Sequence, residues 1–467
     1  MKDLTKGNEA AQIFYFALPM LIGNIFQQFY NLTDSIVVGR VIGKQALGAV
    51  GASFPIIFLL VSLVMGLTMG SSVIISQYYG AKNMRMVKRA IDTSYIVLLV
   101  SSIIVTTVGL LFSEDILRML RTPEEIIPQA KIYLNITLSG VVFMFGYNSI
   151  SAVLRGLGDS KTPLFFLIIA ALINVGLVLL FVVVFGWGIE GSAYSTIIAQ
   201  AISFILGVLY LNRTHKVFNL NFKKMEFDRS IFINSIKIGL PTGVQQMVVA
   251  SGMMALSRVV NQFGTDAVAA YTAAGRLDSF AVVPSMSLSM GLSSFVGQNL
   301  GAKKPERVRK GYNAALIMGV SVSIVISIIV LLFGGSLVSF FNSDASVVDI
   351  GTNYLLIVGS FYILFSVMHI TTGVLRGAGD TFVPMFFTIF SLWLVRIPLA
   401  TVLSKYYGTN GIWLSLPVAW GCGLILVRIY YSTGRWKTKA VTRPEAIPEA
   451  ILMVEEEKEP KWNCSKF

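Results

Sequence analysis

The sequence is poor in charge, histidine and cysteine, and each shortage removes a class of function. Asp, Glu, Lys and Arg make up 13% of the 467 residues, about half the charged share of a soluble chain. Too few ions are present to cover a water-facing surface of that size. Only two histidines, His215 and His369, and two cysteines, Cys422 and Cys464, occur. Two distant thiols make neither a disulfide framework nor a thiolate metal site, and no His-Glu-x-x-His pair is found. No Gly-x-x-x-x-Gly-Lys-[Ser/Thr] loop exists, so the chain carries no cradle of that kind for nucleotide phosphates. Arg155-Gly-Leu-Gly-Asp-Ser-Lys-Thr-Pro163 has the glycines without the spacing. It reads as a tight turn before a helix, with Thr162 as cap and Pro163 at the first helical position. A membrane-embedded enzyme would need more clustered titratable groups than these spans hold. No metal and no cofactor are expected.

What is present is apolar length. The chain is 55% hydrophobic with a mean hydropathy of +0.72, and runs such as Tyr95–Phe112, Leu164–Phe185 and Ala315–Phe333 are almost unbroken. A bilayer core of about 30 Å needs about twenty apolar residues per helix. The pattern predicts an all-α integral membrane protein with spans at 13–38, 46–73, 91–112, 132–154, 162–186, 191–211, 233–258, 266–297, 312–334, 350–374, 384–404 and 411–432. Several are longer than the core requires, which implies tilt or extension into water. Met1–Ala11 is short and polar, with no small-residue cleavage site after the first apolar run, so that run reads as a retained span.

The net charge of +13 invites a nucleic-acid reading, but the distribution argues against it. Lys82, Arg85, Lys88 and Arg89 sit together, as do the cations between Lys303 and Lys310 and those of the tail. With the N-terminus inside, nearly all the basic loops fall on one side, and the positive-inside rule places both termini in the cytoplasm of a multi-pass plasma-membrane protein. The basic excess then faces anionic lipid. After Trp436 the composition turns to Lys, Glu and Pro, as in a solvated appendage.

The strongest signal is internal. Val153-Leu-Arg-Gly-Leu-Gly-Asp159 recurs as Val374-Leu-Arg-Gly-Ala-Gly-Asp380, each copy followed by a proline, Pro163 and Pro384. The same offset pairs Gly70, Gln77, Gly80, Ala81 and Lys82 with Gly291, Gln298, Gly301, Ala302 and Lys303. With one residue inserted, Leu18-Pro19 pairs with Leu240-Pro241. Six spans separate the copies, so both halves enter the membrane in the same direction, as parallel repeats do. The expected organisation is an N-terminal six-helix lobe (1–220), a C-terminal six-helix lobe (221–435) and a cytoplasmic tail (436–467). A path on the axis between the lobes is how repeated transporters move a solute. A scaffold without flux remains the alternative.

Leu18-Pro-Met-Leu-Ile-Gly-Asn-Ile-Phe-Gln-Gln-Phe-Tyr-Asn-Leu-Thr-Asp34, the following Ala46-Leu-Gly-Ala-Val-Gly51, Gln77-Tyr-Tyr-Gly-Ala-Lys82, the two Leu-Arg-Gly-x-Gly-Asp turns and Tyr271 to Asp278 resemble the multidrug and toxic compound extrusion (MATE) family, most nearly its bacterial DinF-like branch. The resemblance covers the chain up to about Tyr431. It implies a V-shaped pair of lobes that exports organic cations or other amphipathic compounds in exchange for protons or sodium, working as a monomer. A relative of the same architecture, a flippase for lipids or lipid-linked sugars, is the runner-up.

Two aspartates lie well inside spans, Asp34 and Asp278. A carboxylate in hydrocarbon costs a few kcal/mol and should face a cavity or a partner. The resemblance makes Asp34 the N-lobe ion-coupling acid, with Asn174 and Thr196 as its polar neighbours. The family often has a second aspartate four residues after the asparagine, where this chain has Val178. A hard cation wants several oxygens, so the loss tilts the reading toward protons. Asp34 as an interfacial cap of the first span is the plain alternative. The second half carries a different polar cluster: Arg276, Asp278, His369 and Arg396, with Asp278 expected to pair with Arg396 or Arg276. Gln27, Gln28, Tyr30, Asn31, Tyr147, Asn148, Gln245, Gln246 and Met247 are candidates for the substrate cavity, because polar groups within spans turn toward the bundle interior. Ordinary helix packing is the competing account of each. Pro19, Pro55, Pro241 and Pro284 mark candidate bends.

Overall fold

The computed structural model describes residues 2–37, 41–120, 122–214 and 225–442. His215, Cys464 and the tail from residue 443 onward lie outside the described residues. Fifteen α-helices follow in order: α1 (Glu9–Val37), α2 (Lys44–Gly80), α3 (Met84–Met119), α4 (Ile127–Ser139), α5 (Val141–Gly156), α6 (Lys161–Val178), α7 (Gly188–Thr214), α8 (Arg229–Val260), α9 (Thr265–Gly301), α10 (Pro305–Ser339), α11 (Ala345–Gly359), α12 (Tyr362–Ala378), α13 (Phe382–Ile389), α14 (Ile397–Tyr407) and α15 (Thr409–Ser432). No strand occurs among the described residues.

These helices give the twelve expected crossings. Nine rods are long and apolar enough to span a bilayer by themselves among the described residues. Two more crossings are bent pairs: α4 and α5 meet at 46°, α11 and α12 at 50°. The remaining crossing is α8, whose lower hydrophobicity reflects Gln245, Gln246 and a line of small residues turned toward a neighbouring helix. Pro19, Pro55, Pro241 and Pro284 all sit inside uninterrupted helices, while the two broken crossings turn at Gly140 and at Ser360–Phe361, in the fourth crossing of each half. Spans five and eleven also carry π-helical turns, Leu179–Val184 and Phe390–Arg396.

The repeated motifs fold as repeated turns. In the Leu-Arg-Gly-x-Gly-Asp copies the second glycines, Gly158 and Gly379, have φ of 84° and 90°, a left-handed conformation that glycine adopts without a Cβ clash. Asp159 and Asp380 then return hydrogen bonds to Leu154 O and Leu375 O at 2.8 and 2.9 Å. The cap of α6 is Asp159 rather than Thr162. Its carboxylate accepts from the amides of Lys161 and Thr162, each at 3.1 Å, and from the Thr162 hydroxyl at 2.7 Å. A short carboxylate two residues ahead of the helix reaches the free amides, and Thr162, already helical, does not. Lys82 and Lys303, paired by the repeat, both adopt positive φ (59° and 56°) where α2 and α9 end.

Helices in lipid gain little from hydrophobic attraction to one another, so close approach of small residues carries much of the packing. The clearest case joins the two halves. Ser62, Gly66 and Gly70 of α2 face Ser235, Gly239 and Gly243 of α8, each series at four-residue intervals. A Cβ on Gly66 would lie 2.7 Å from Gly239 O. Gly80 and Gly301 meet the backbones of Gln298 and Gln77 more tightly still, and Gly291 rests on Ala17. These contacts gather toward the end that carries Lys82 and Lys303, while Met253 and Met254 on the far part of α8 are exposed. The two bundles therefore form a V closed at its basic end, with α9 the most enclosed span.

Candidate functional site

The first half gathers a short polar chain where α1, α6 and α7 meet. Asn174, 1% exposed, donates its Nδ2 to Thr196 Oγ1 at 3.2 Å and to Ser195 Oγ at 3.5 Å. Thr196 Oγ1 in turn lies 3.1 Å from the Tyr30 hydroxyl. Asn174 and Thr196, expected together at the coupling site, and Tyr30, expected in the cavity, are thus one hydrogen-bonded unit. Asp34 lies one turn further along α1 than Tyr30; its side chain and that of Asn31 lie outside the described residues. Val178 is buried against Val37 and Val182, so an apolar contact occupies the corner where the family resemblance leads one to look for a second acid.

The second half builds a different centre. Asp278, on α9, has the Tyr354 and Tyr362 hydroxyls and the Arg396 guanidinium as polar neighbours. Arg396, at the end of the π-helical turn in the eleventh crossing, is buried beside Tyr271. The expected ion pair is not made: among the described residues no N···O contact within 4.0 Å joins Asp278 to an arginine, and Asp278 Oδ1 and Arg396 Nε each lack a hydrogen-bond partner. The Tyr362 hydroxyl also lacks a hydrogen-bond partner, so the tyrosines are neighbours of the carboxylate without a hydrogen bond to its Oδ1. Aromatic rings wall the centre: Tyr271 stacks on Trp413 at 5.5 Å, Tyr354 meets Trp413 edge-on at 5.0 Å, and Phe365 touches Trp420 at 5.2 Å. Arg276, two residues from Asp278, is exposed on another face of α9. His369 stacks on Phe365 with ring centres 3.9 Å apart, and its Nδ1 is buried without a partner.

The cavity candidates divide. Gln27 is exposed, and Gln28, Gln246 and Met247 are half-buried. Gln245 is engaged within its own half: its Nε2 donates to Thr388 Oγ1 at 2.6 Å and its Oε1 accepts from Arg376 at 2.9 Å. Tyr147 donates to Pro163 O at 3.2 Å, and Asn148 to Met144 O of its own helix at 2.8 Å. The sequence reading missed Tyr354 and Tyr362, and quoted Tyr271 as part of a motif without giving it a role. It also missed the α2–α8 seam, although the small residues at four-residue intervals on both helices were a visible sign of it.

Two like bundles, entering the membrane in one direction, closed against each other at one end and each holding a buried polar centre, define a paired-lobe membrane transporter fold. The MatE family model matches residues 19–180 and 241–402, once in each half. The chain is 36% identical over 436 residues to the Bacillus subtilis protein named "Probable multidrug resistance protein YpnP", covering 93% of this chain and 97% of that one. It is 32% identical over 437 residues to the B. subtilis protein "Probable multidrug resistance protein YoeA", covering 92% and 94%. A solved structure described as the outward-facing conformation of a multidrug resistance MATE family transporter of the MOP superfamily superposes with a TM-score of 0.87 at 23% identity, over 93% of this chain and 98% of the other. This chain belongs to the MATE family, a family of transporters rather than enzymes.

Proposed function

We propose that this protein is an ion-coupled antiporter of the plasma membrane that exports amphipathic or cationic small molecules, with protons as the coupling ion and sodium as the alternative. The basic end of the V faces the cytoplasm, the lobes comprise residues 1–220 and 221–435, and the passage between them opens to each side in turn. The supporting observation is unlike chemistry on a like frame. The first lobe sets a hydrogen-bonded Tyr30–Thr196–Asn174 chain one helical turn from the intramembrane Asp34. A neutral polar chain beside a lone acid lets that acid exchange a proton or a cation without leaving a second charge stranded in the membrane. Each charge moved down a 100 mV potential supplies about 2.3 kcal/mol for uphill export.

Purified protein in liposomes, given an imposed pH or sodium gradient and a fluorescent organic cation, tests this. Wild type should accumulate or expel the dye against its gradient with one ion and not the other. Asp34→Asn should abolish the uphill component while leaving downhill exchange. Uphill export that survives Asp34→Asn would overturn the coupling role. One observation favours a second reading: Arg276 exposes a guanidinium within the span of α9, as a passage for a phosphate-headed lipid would. Flipping of a labelled anionic lipid, with no ion-driven dye export, would select that reading.

A further inference from the structure

We propose that residues 2–9, ahead of and at the start of α1, and residues 433–441, after α15, form a paired latch, keyed by Gln77 and Gln298, that holds the basic end of the V shut and must release before the protein can open there. Gln77 and Gln298 correspond in the repeat and are both fully buried. Each uses its amide twice, and in the same manner. Gln77 Nε2 donates across the seam to Gly377 O at 3.1 Å, while its Oε1 accepts from the amide of Val441 at 2.7 Å. Gln298 Nε2 donates back across the seam to Gly156 O at 3.1 Å, while its Oε1 accepts from the amide of Leu4 at 3.0 Å. Each half therefore holds the Leu-Arg-Gly-x-Gly-Asp turn of the other, and each glutamine also seats one terminus.

The termini are unrelated in sequence yet occupy corresponding places. The Lys2 carbonyl lies against Gly158, and the Lys439 carbonyl lies near Gly379, the left-handed glycines of the two turns. The N-terminal strap is pinned to the second half along its length. Leu4 is fully buried and its carbonyl accepts from Asn299 Nδ2 at 3.0 Å. Lys304 Nζ donates to Thr5 O at 3.1 Å, Arg307 donates to Gly7 O at 3.0 Å, and Glu9 pairs with Arg307 at 3.0 Å. Its first residue crosses to the other half, where the Lys2 amide donates to Gly158 O at 3.2 Å. The C-terminal strap leaves α15 through Trp436, buried and stacked on Tyr431 at 5.4 Å. It ends with Val441 against the cluster that holds Ile74 and Leu154 of the first half.

Packing alone would not require this pairing. A buried amide needs its partners satisfied, so any motion that draws α2 away from α9 strands both glutamines and unseats both straps together. The latch is thus cooperative: it is closed with all four glutamine bonds made or open with all four broken. The proposal rests on the alternating-opening reading given above, and its test uses no substrate and no ion gradient, so a failure of transport would not mimic a failure of the latch.

Spin labels at Met84 and Glu306, exposed at the basic starts of α3 and α10, and at Leu120 and Ser343, exposed at the far end, would report both ends by double electron–electron resonance in a cysteine-free background. Gln77→Ala and Gln298→Ala each remove two bonds. Each should raise the fraction open at the basic end about tenfold, and the double variant more, with the far-end distance shortening in step. Removal of residues 2–5 should act like Gln298→Ala while leaving every helix intact, which keeps the test decisive if a glutamine variant fails to fold. Unchanged distances at both ends would overturn the latch. So would widening at the basic end without shortening at the far end, because that would be fraying of the straps alone.

Discussion

Gly66→Ala tests how closely the two halves approach. In the closed V an added Cβ would sit 2.7 Å from the Gly239 carbonyl oxygen and 3.1 Å from the Gly243 Cα. A carbon normally approaches a carbonyl oxygen to about 3.3 Å, so α2 and α8 must separate by about 0.6 Å at this crossing. Neither obstacle is a side chain that can swing away; both are helical backbone. Overpacking of this kind costs about 1–3 kcal/mol. The open form at the basic end has no such contact, so the whole cost falls on the closed form, and the open-to-closed ratio should rise about 5- to 150-fold. The assay is the distance distribution between labels on the basic starts of α3 and α10, with thermal unfolding alongside. Gly176→Ala is the control, since a Cβ there meets nothing within 4 Å. A Gly66→Ala protein with the wild-type distribution and wild-type melting would refute the claim that the seam is closed by backbone contact.

Two further outcomes follow from the polar centres. Thr196→Val keeps the shape but deletes the hydroxyl that links Asn174 to Tyr30; loss of partners for a buried amide should lower stability by about 1–3 kcal/mol, seen as a lower melting temperature, with Thr196→Ser close to wild type. Asp278→Asn should destabilise, because the carboxylate, though not in contact with Arg396, is the acidic neighbour of that buried cation and its loss removes their mutual attraction. Arg396→Met combined with Asp278→Asn should recover much of that loss in a double-mutant cycle. An additive double variant would show that the two groups do not form an electrostatic unit.

Much of the architecture was legible because membrane spans obey a simple constraint. Backbone groups in lipid must be satisfied within a helix, so long apolar runs fix the crossings, and a repeated motif fixes the duplication. The bends were not legible. Pro19, Pro55, Pro241 and Pro284 sit in helices that stay continuous, and the broken crossings turn at Gly140 and Ser360–Phe361, positions the sequence reading does not single out. The site was half legible. Asn174 and Thr196 were found, and they touch. Gln245, a cavity candidate in the sequence, is hydrogen-bonded to Arg376 and Thr388, contacts that chain order does not reveal. Nothing in the chain order of Asp278, Tyr354, Tyr362 and Arg396 reveals that they surround one point, because four different helices bring them there.

The sequence by itself determined that the chain spans a membrane as two parallel copies of one bundle, since hydrophobic length and internal identity are properties of the chain alone. It also determined where charge is scarce enough within the spans to matter. Only the tertiary structure decided which of those polar groups meet, that Asp278 lies among tyrosines without an ion pair, and that the amides of Leu4 and Val441 meet Gln298 and Gln77. Partners for buried polar atoms are chosen by helices packed side by side, and residues hundreds of positions apart become neighbours only when that packing exists.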